Sequence, residues 1–213
     1  MLPGTRPGDG DTRTFLGAIM RNPHQLGAIA PSSKAVARLA TSVVPGTRGA
    51  VVVELGAGGG VISDAIRDRL PPDGRQLAIE LNHDMVRHLR RSRPWLEVIA
   101  GDAGDLGRFL GRAGVTQVDA VVSSLPWTLF DERQQKRILD EVSAALALGG
   151  MFSTVTTLTA MPFRRFRLFR GLLESTFTTV GTMGPVWHNV PPALVFTASE
   201  GPPPAAGDGP GRR

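Results

Sequence analysis

Val51-Val-Val-Glu-Leu-Gly-Ala-Gly-Gly-Gly60 begins as an apolar, β-branched run, turns through glycines at 56, 58 and 60, and leads into a segment of helical period. Those glycines let the backbone turn sharply and approach a ligand where any Cβ would collide, with the N–H groups of the following helix facing it. A strand, a glycine turn and a helix in that order open a parallel sheet wrapped by helices. The same alternation continues outward. Short apolar runs predict strands over 50–55, 76–81, 96–100, 118–123, 151–158, 176–182 and 193–197. Helical periods fall between them over 61–69, 83–91, 105–112, 132–148 and 163–174. Ahead of the first strand, 14–21 and 32–43 read as two further helices, interrupted by Asn22-Pro23 and reopened after Pro31 with Ser32 as cap.

The chain has 213 residues, 41% hydrophobic and 20% charged, which is enough apolar material for a core and too little charge for wholesale disorder. It contains no Cys, so disulfide scaffolds, thiolate metal sites and cysteine nucleophiles are excluded. Its four His are scattered without zinc-ligand spacing, and no metal is expected. A formal net charge of +5 invites an anionic partner but does not choose between nucleic acid, a membrane surface and a phosphorylated small molecule. Residues 1–11 lack the apolar stretch of a secretory signal. The uncharged stretch 142–163 is long enough to span a membrane. Its Gly149, Gly150 and six Ser/Thr residues suit a helix end followed by a buried strand instead. Segments 1–11 and 201–213 have the composition of disordered tails, which leaves one domain over 12–200, with 12–45 as a helical lid at the mouth of the sheet.

Glu80 ends the second predicted strand, 20 residues beyond Gly60, where a carboxylate can take both hydroxyls of an adenosine ribose. A dinucleotide site would share that much, but it prefers G-x-G-x-x-G, whereas this turn reads Glu-Leu-Gly-Ala-Gly-Gly-Gly. Gly101-Asp102-Ala103 then ends the third strand, placed for an adenine amino group, and Ser123-Ser-Leu-Pro-Trp127 ends the fourth. This ordered set resembles the class I S-adenosylmethionine-dependent methyltransferases. The resemblance implies a Rossmann-like α/β fold: a seven-stranded, mostly parallel sheet with helices on both faces. It also implies that S-adenosylmethionine is held by Glu54, Gly56, Ala57, Gly58, Glu80, Leu81, Asp102, Ala103 and Ser123.

Methyl transfer from a sulfonium needs in-line approach by a nucleophile with a free lone pair, and positioning supplies much of the acceleration. Ser124-Leu-Pro-Trp127 stands where many amine and nucleobase methyltransferases carry Asn or Asp, a residue, Pro and an aromatic. By that likeness Ser124 accepts amine hydrogens, Pro126 shapes the corner, and Trp127 lays its ring against the acceptor or a cationic ammonium. Ser124 offers no planar amide for reading adenine. His188, between Trp187 and Asn189, is the side-chain candidate for a proton acceptor.

A closer resemblance rests on Phe15-Leu-Gly-Ala-Ile-Met-Arg-Asn-Pro-His-Gln-Leu-Gly-Ala-Ile-Ala-Pro-Ser-Ser33 and Trp187-His-Asn-Val-Pro-Pro-Ala193, taken with the glycine turn and Ser123 to Trp127. Together these are similar to the bacterial phospholipid N-methyltransferases acting on phosphatidylethanolamine and their relatives acting on ornithine lipids. That implies methylation of a lipid amine, phosphatidylethanolamine foremost, by a cytoplasmic protein peripheral at the inner face of the membrane, with Ser32, Ser33 and Asn189 at the substrate. One departure stands out: tyrosines handle the head group in that family, and this chain has none. Two features read independently for a lipid partner. Helix 14–21 is amphipathic, and 161–170 interleaves Arg164, Arg165, Arg167 and Arg170 with Phe163, Phe166 and Phe169, able to grip phosphate while the rings enter the apolar boundary. The bland alternative for 161–170 is a core-facing Phe stripe under a solvated Arg face. Three other readings stay open: a soluble small-molecule or peptide amine as acceptor, an RNA adenine dimethyltransferase, and a non-catalytic binding protein on the same fold.

Overall fold

The structure is a computed structural model and describes residues 32–201. The expected helix over 14–21, most of the lid and the two tails lie outside the described residues. Among the described residues there are six α-helices and seven strands: α1 (Lys34–Ala40), β1 (Val51–Leu55), α2 (Val61–Arg67), β2 (Arg75–Glu80), α3 (His83–Ser92), β3 (Glu97–Ala100), α4 (Leu106–Arg112), β4 (Val118–Ser123), α5 (Glu132–Ala145), β5 (Leu146–Thr157), α6 (Arg164–Thr176), β6 (Thr179–Val186) and β7 (Ala193–Ser199). They form one sheet of order β3-β2-β1-β4-β5-β7-β6, parallel from β3 to β5, with β7 antiparallel to both of its neighbours.

Register decides which face each residue meets. Val53 pairs with Leu77 and Val121 and points with Leu55 and Ile79 toward α4, α5 and α6, in a core that includes Leu106, Phe109, Ile138, Leu139, Phe166, Phe169 and Leu173. Val52, Ala120 and Val122 point the other way, against Ala37 and Ala40 of α1 and Ile62 and Ile66 of α2. Ala78, on that same second face, packs with Val86 and Leu89 of α3. Both faces are thus covered, as a parallel sheet requires.

The ends of the helices are explained by their caps. Asn82 accepts from the N–H groups of Asp84 and Met85, and Asp131 and Gln134 form a reciprocal capping box at α5. Several boundaries shift from the sequence expectation, and three of the shifts have a plain local cause. Ser33, one residue after the expected Ser32, caps α1 by accepting from Val36 N. The helix expected over 132–148 stops at Ala145, because Leu146 already pairs with Val118 and Gly149 takes φ +79, which a helix cannot hold. Residues 147–150 bulge there between the Leu146 and Met151 rungs, leaving Leu148 96% exposed. The sixth strand starts at Thr179 rather than 176, since the apolar stripe of α6 runs on to buried Phe177.

Candidate functional site

The sheet reverses its strand order between β1 and β4, so the loops leaving those strands part and open a crevice at their C-terminal ends. Gly56 N donates to Ile79 O (2.9 Å) and Ser124 N to Leu55 O (3.0 Å), which pins the elbow between its neighbours. Gly58 holds φ +51, and no described atom lies within 4 Å of where its Cβ would stand, so its surface is open to a ligand. The adjoining cleft encloses about 580 Å³ including its mouth. Gly56, Ile79, Leu81, Gly101 to Ala103 and Leu125 line one side, and Phe130, Gln134, Arg137 and Ile138 the other.

Glu80 is buried, and its carboxylate accepts from Gly58 N (2.9 Å) and from Asn82 N (2.8 Å), tying the elbow to the start of α3. Each oxygen keeps a second lone pair for an O–H donor. Asp102 stands on the cleft wall and accepts from Gly104 N (2.8 Å); Ala103 and Leu81 line the same wall, and Ala57 is buried beneath the elbow. Glu54 points to the opposite face of the sheet from Leu55. It is fully buried, accepts from Ser63 Oγ (2.6 Å), and its other oxygen, Oε1, has no partner among the described residues. Burial pushes its pKa up to about 7; the Ser63 hydrogen bond opposes that, Glu80 adds to it and Arg93 opposes it. Arg93 pairs bidentately with Asp64 (both 2.7 Å), and its guanidinium lies against Gly60, where a Cβ would come 2.4 Å from Cζ.

The raised value has a stability consequence. Protonated Glu54 contributes stability in full below the unfolded value of 4.5, and that contribution is lost as pH rises to about 7. Over that interval it amounts to about 3 kcal/mol. In urea unfolding without cofactor, Glu54→Gln should therefore be more stable relative to the wild type at pH 8 than at pH 5. An equal difference at both pH values would place Glu54 in water.

The acceptor side differs from expectation at Trp127 and Asn189. Trp127 is 3% exposed and belongs to the core: Nε1 donates to Thr154 Oγ1 (2.8 Å), one face stacks on Phe169 (centroids 4.4 Å), and Phe130 and Phe152 meet the ring edge-on. It has no face for an acceptor, because the chain turns inward after Pro126 and drops the indole between α6 and the sheet. Asn189 is buried and its amide is internal, Oδ1 accepting from Ser33 N (3.0 Å) and Nδ2 donating to Pro191 O (2.6 Å). It joins the turn before β7 to the start of α1 rather than reaching for substrate. Phe166 and Phe169 are core residues; Phe163, of the three rings, is exposed.

The other expected residues fall at the same end of the sheet. The Ser124 hydroxyl donates to Gly56 O, so its proton is committed while its lone pairs are not. Ser123 is buried, accepting from Leu125 N. Ser32, Ser33 and Pro126 are half-buried, and His188, Arg164 and Arg165 are exposed, Arg165 donating to Leu129 O. Sequence reading missed the α5 wall of Gln134, Arg137 and Ile138, which carries no motif. It also missed the Arg93–Asp64 clamp, formed 29 residues apart between α2 and the residue that caps the end of α3.

The family described as "Methyltransferase domain" matches residues 52–150. The ornithine lipid N-methyltransferase of Singulisphaera acidiphila is 34% identical over 186 residues, covering 85% of this chain and 92% of that protein. Among solved structures, TrmN from Thermus thermophilus superposes with a TM-score of 0.61 at 18% identity, covering 86% of this chain but only 53% of its own. Aeropyrum pernix fibrillarin, crystallised with natively bound S-adenosyl-L-methionine, does so with 0.57 at 18% identity, covering 78% of this chain and 74% of its own. The residues of the crevice fit that cofactor: an open glycine surface, an apolar slot for a base, a buried carboxylate at the tip of β2 and an orphaned carboxylate oxygen under the elbow. The chain belongs to the class I S-adenosylmethionine-dependent methyltransferases.

Proposed function

We propose that this enzyme N-methylates the primary amine of a membrane lipid head group, phosphatidylethanolamine or an ornithine lipid, while resting on the membrane surface. The observation that carries this reading is the likeness, over 85% of the chain, to a protein named for N-methylating ornithine lipid. Among the described residues no helix is long and apolar enough to cross a membrane.

S-adenosylmethionine, when bound, supplies an electrophilic methyl group on a sulfonium. The remaining work belongs to the chain. The elbow at Gly56 to Gly58 lets the backbone come close, and Glu80 would accept from the ribose hydroxyls. Asp102 would take the adenine amino group, and Leu81, Ala103, Leu125 and Ile138, which line the cleft, would hold the ring. Glu54 Oε1, a buried oxygen without a partner among the described residues, would accept from the ammonium of the amino-acid end. On the acceptor side, the lone pairs of Ser124 and neighbouring carbonyls of the β4 loop accept amine hydrogens and hold the nitrogen's own lone pair free for in-line approach. An amine moved from water into an apolar mouth has its pKa lowered, which releases the proton that must leave before transfer. His188, on the exposed turn at this end of the sheet, is the side chain proposed to receive it.

The test offers methyl-labelled cofactor to phosphatidylethanolamine, ornithine lipid, ribosomal RNA and a panel of soluble amines. Label in a lipid extract is the expected result, and which lipid carries it names the head group. Label in RNA or a soluble amine alone would replace the reading. The Ser124 geometry speaks against RNA, since a hydroxyl whose proton is spent on Gly56 O offers no donor and acceptor pair for a base edge.

A further inference from the structure

We propose that two neighbouring turns, Met161 to Phe163 and Trp187 to Val190, form an apolar edge that seats in the interface of an anionic bilayer, with Arg164, Arg165 and Arg167 on the lipid phosphates. The proposal rests on the reading above and adds where the enzyme meets its membrane. The two turns leave the sheet side by side: Thr157 of β5 pairs with Ala193 of β7, and Leu158 N donates to Pro192 O (2.8 Å) just beyond that rung. From that point one turn carries Met161 (38% exposed) and Phe163 (61%), and the other Trp187 (67%) and Val190 (81%). Only two other large apolar side chains are exposed among the described residues. They are Trp95, before β3, and Leu148, on the bulge at the far end of β5. Large apolar side chains gathered at one edge are what an interaction surface looks like, whereas isolated ones need no explanation.

Charge selects the occupant. Neither 158–173 nor 185–199 contains an Asp or Glu. Arg165 and Arg167 spend single donors on the carbonyls of Leu129 and Pro162, and Arg164 has no described partner, so three guanidinium groups flank the apolar edge without a carboxylate. Arg170, further along α6, shows the contrast, being paired with Glu174. An exposed Trp, aliphatic tips and Arg without a carboxylate partner suit the boundary between head groups and acyl chains, where the indole sits at head-group level and guanidinium binds phosphate. The turns project from the end of the sheet that also carries the Gly56 elbow and Ser124. Asn189 ties one of them to the start of α1. A lipid amine therefore reaches the mouth without leaving the surface.

The experiment co-sediments the full chain with phosphatidylcholine vesicles, with and without about one-third phosphatidylglycerol. Wild type should partition onto the anionic vesicles at least about tenfold more strongly. The Trp187→Ser/Val190→Ser double variant should lose that partitioning about tenfold, while cofactor affinity by calorimetry and methyl transfer to aminolipid in detergent micelles stay at wild-type values. Arg164→Gln/Arg165→Gln should abolish the preference for anionic over neutral vesicles. Subtracting the emission of Trp187→Phe isolates Trp187, which should shift to the blue only when anionic vesicles are added. Unchanged vesicle binding by the double variant would overturn the docking edge while leaving lipid methylation standing. Trp187 emission already blue without vesicles would overturn it too, because another part of this chain or a second copy then covers the turn. Capture by RNA in preference to anionic vesicles would overturn it as well. A wild type that binds vesicles but labels no lipid would instead sink the proposed function and leave the edge intact.

Discussion

Glu80→Ala should raise the dissociation constant of S-adenosylmethionine about 100-fold by calorimetry, with the demethylated thioether product weakened alike. The carboxylate is buried at the tip of β2 with its oxygens turned toward Gly58 and Asn82, and its remaining lone pairs are the acceptors proposed for the ribose hydroxyls. Hydrogen bonds to a charged acceptor are worth about 1.5–3 kcal/mol each, and about 3 kcal/mol lost is about 100-fold in affinity. Removing the carboxylate also takes the acceptor from Gly58 N, so the elbow loosens as the ribose contact goes. Glu80→Gln retains one acceptor oxygen at the same reach and should fall between the two. A thermal melt separates loss of contact from loss of fold. A Glu80→Ala protein that binds with wild-type affinity would remove Glu80 from the site.

Trp127→Ala should cost about 3–5 kcal/mol of stability, read from the urea midpoint, because a large ring leaves a fully enclosed site. Phe169, Phe130 and Phe152 lose their partner at once, and Thr154 loses the donor that satisfied it. Trp127→Phe keeps the stack and loses the hydrogen bond, at about 1–2 kcal/mol. The Phe variant should retain the wild-type KM for the methyl acceptor below its melting temperature. A ring laid against the acceptor would do the reverse, raising KM with little change in stability.

The elbow and the acidic strand tips proposed for the cofactor were legible as neighbours because they belong to the backbone and to strand ends. A glycine turn after β1, an acid at the end of β2 and Gly101-Asp102-Ala103 after β3 are consecutive punctuation marks in the chain. Parallel neighbours then bring them to one edge automatically. The acceptor half was not legible in the same way. Whether Trp127 faces a ligand or the core depends on where the turn after Pro126 directs it, and the place it fills is made by α6, some 40 residues later. The same holds for Asn189, whose partner Ser33 is 156 residues away. The Phe and Arg stripe of α6 has a helical period either way. Only the packing of Phe166 and Phe169 under the sheet left Phe163 outside.

Order along the chain was sufficient for the fold and the cofactor, since alternating strands and helices joined by a glycine elbow have one economical way to bury their apolar faces. Side-chain direction at the mouth was decided only in three dimensions. A residue after a strand tip can turn inward or outward at little local cost, and contacts from distant segments settle which. Those contacts placed Trp127 in the core, turned the Asn189 amide inward, and left Phe163 and Trp187 in the open beside three arginines with no carboxylate partner among the described residues.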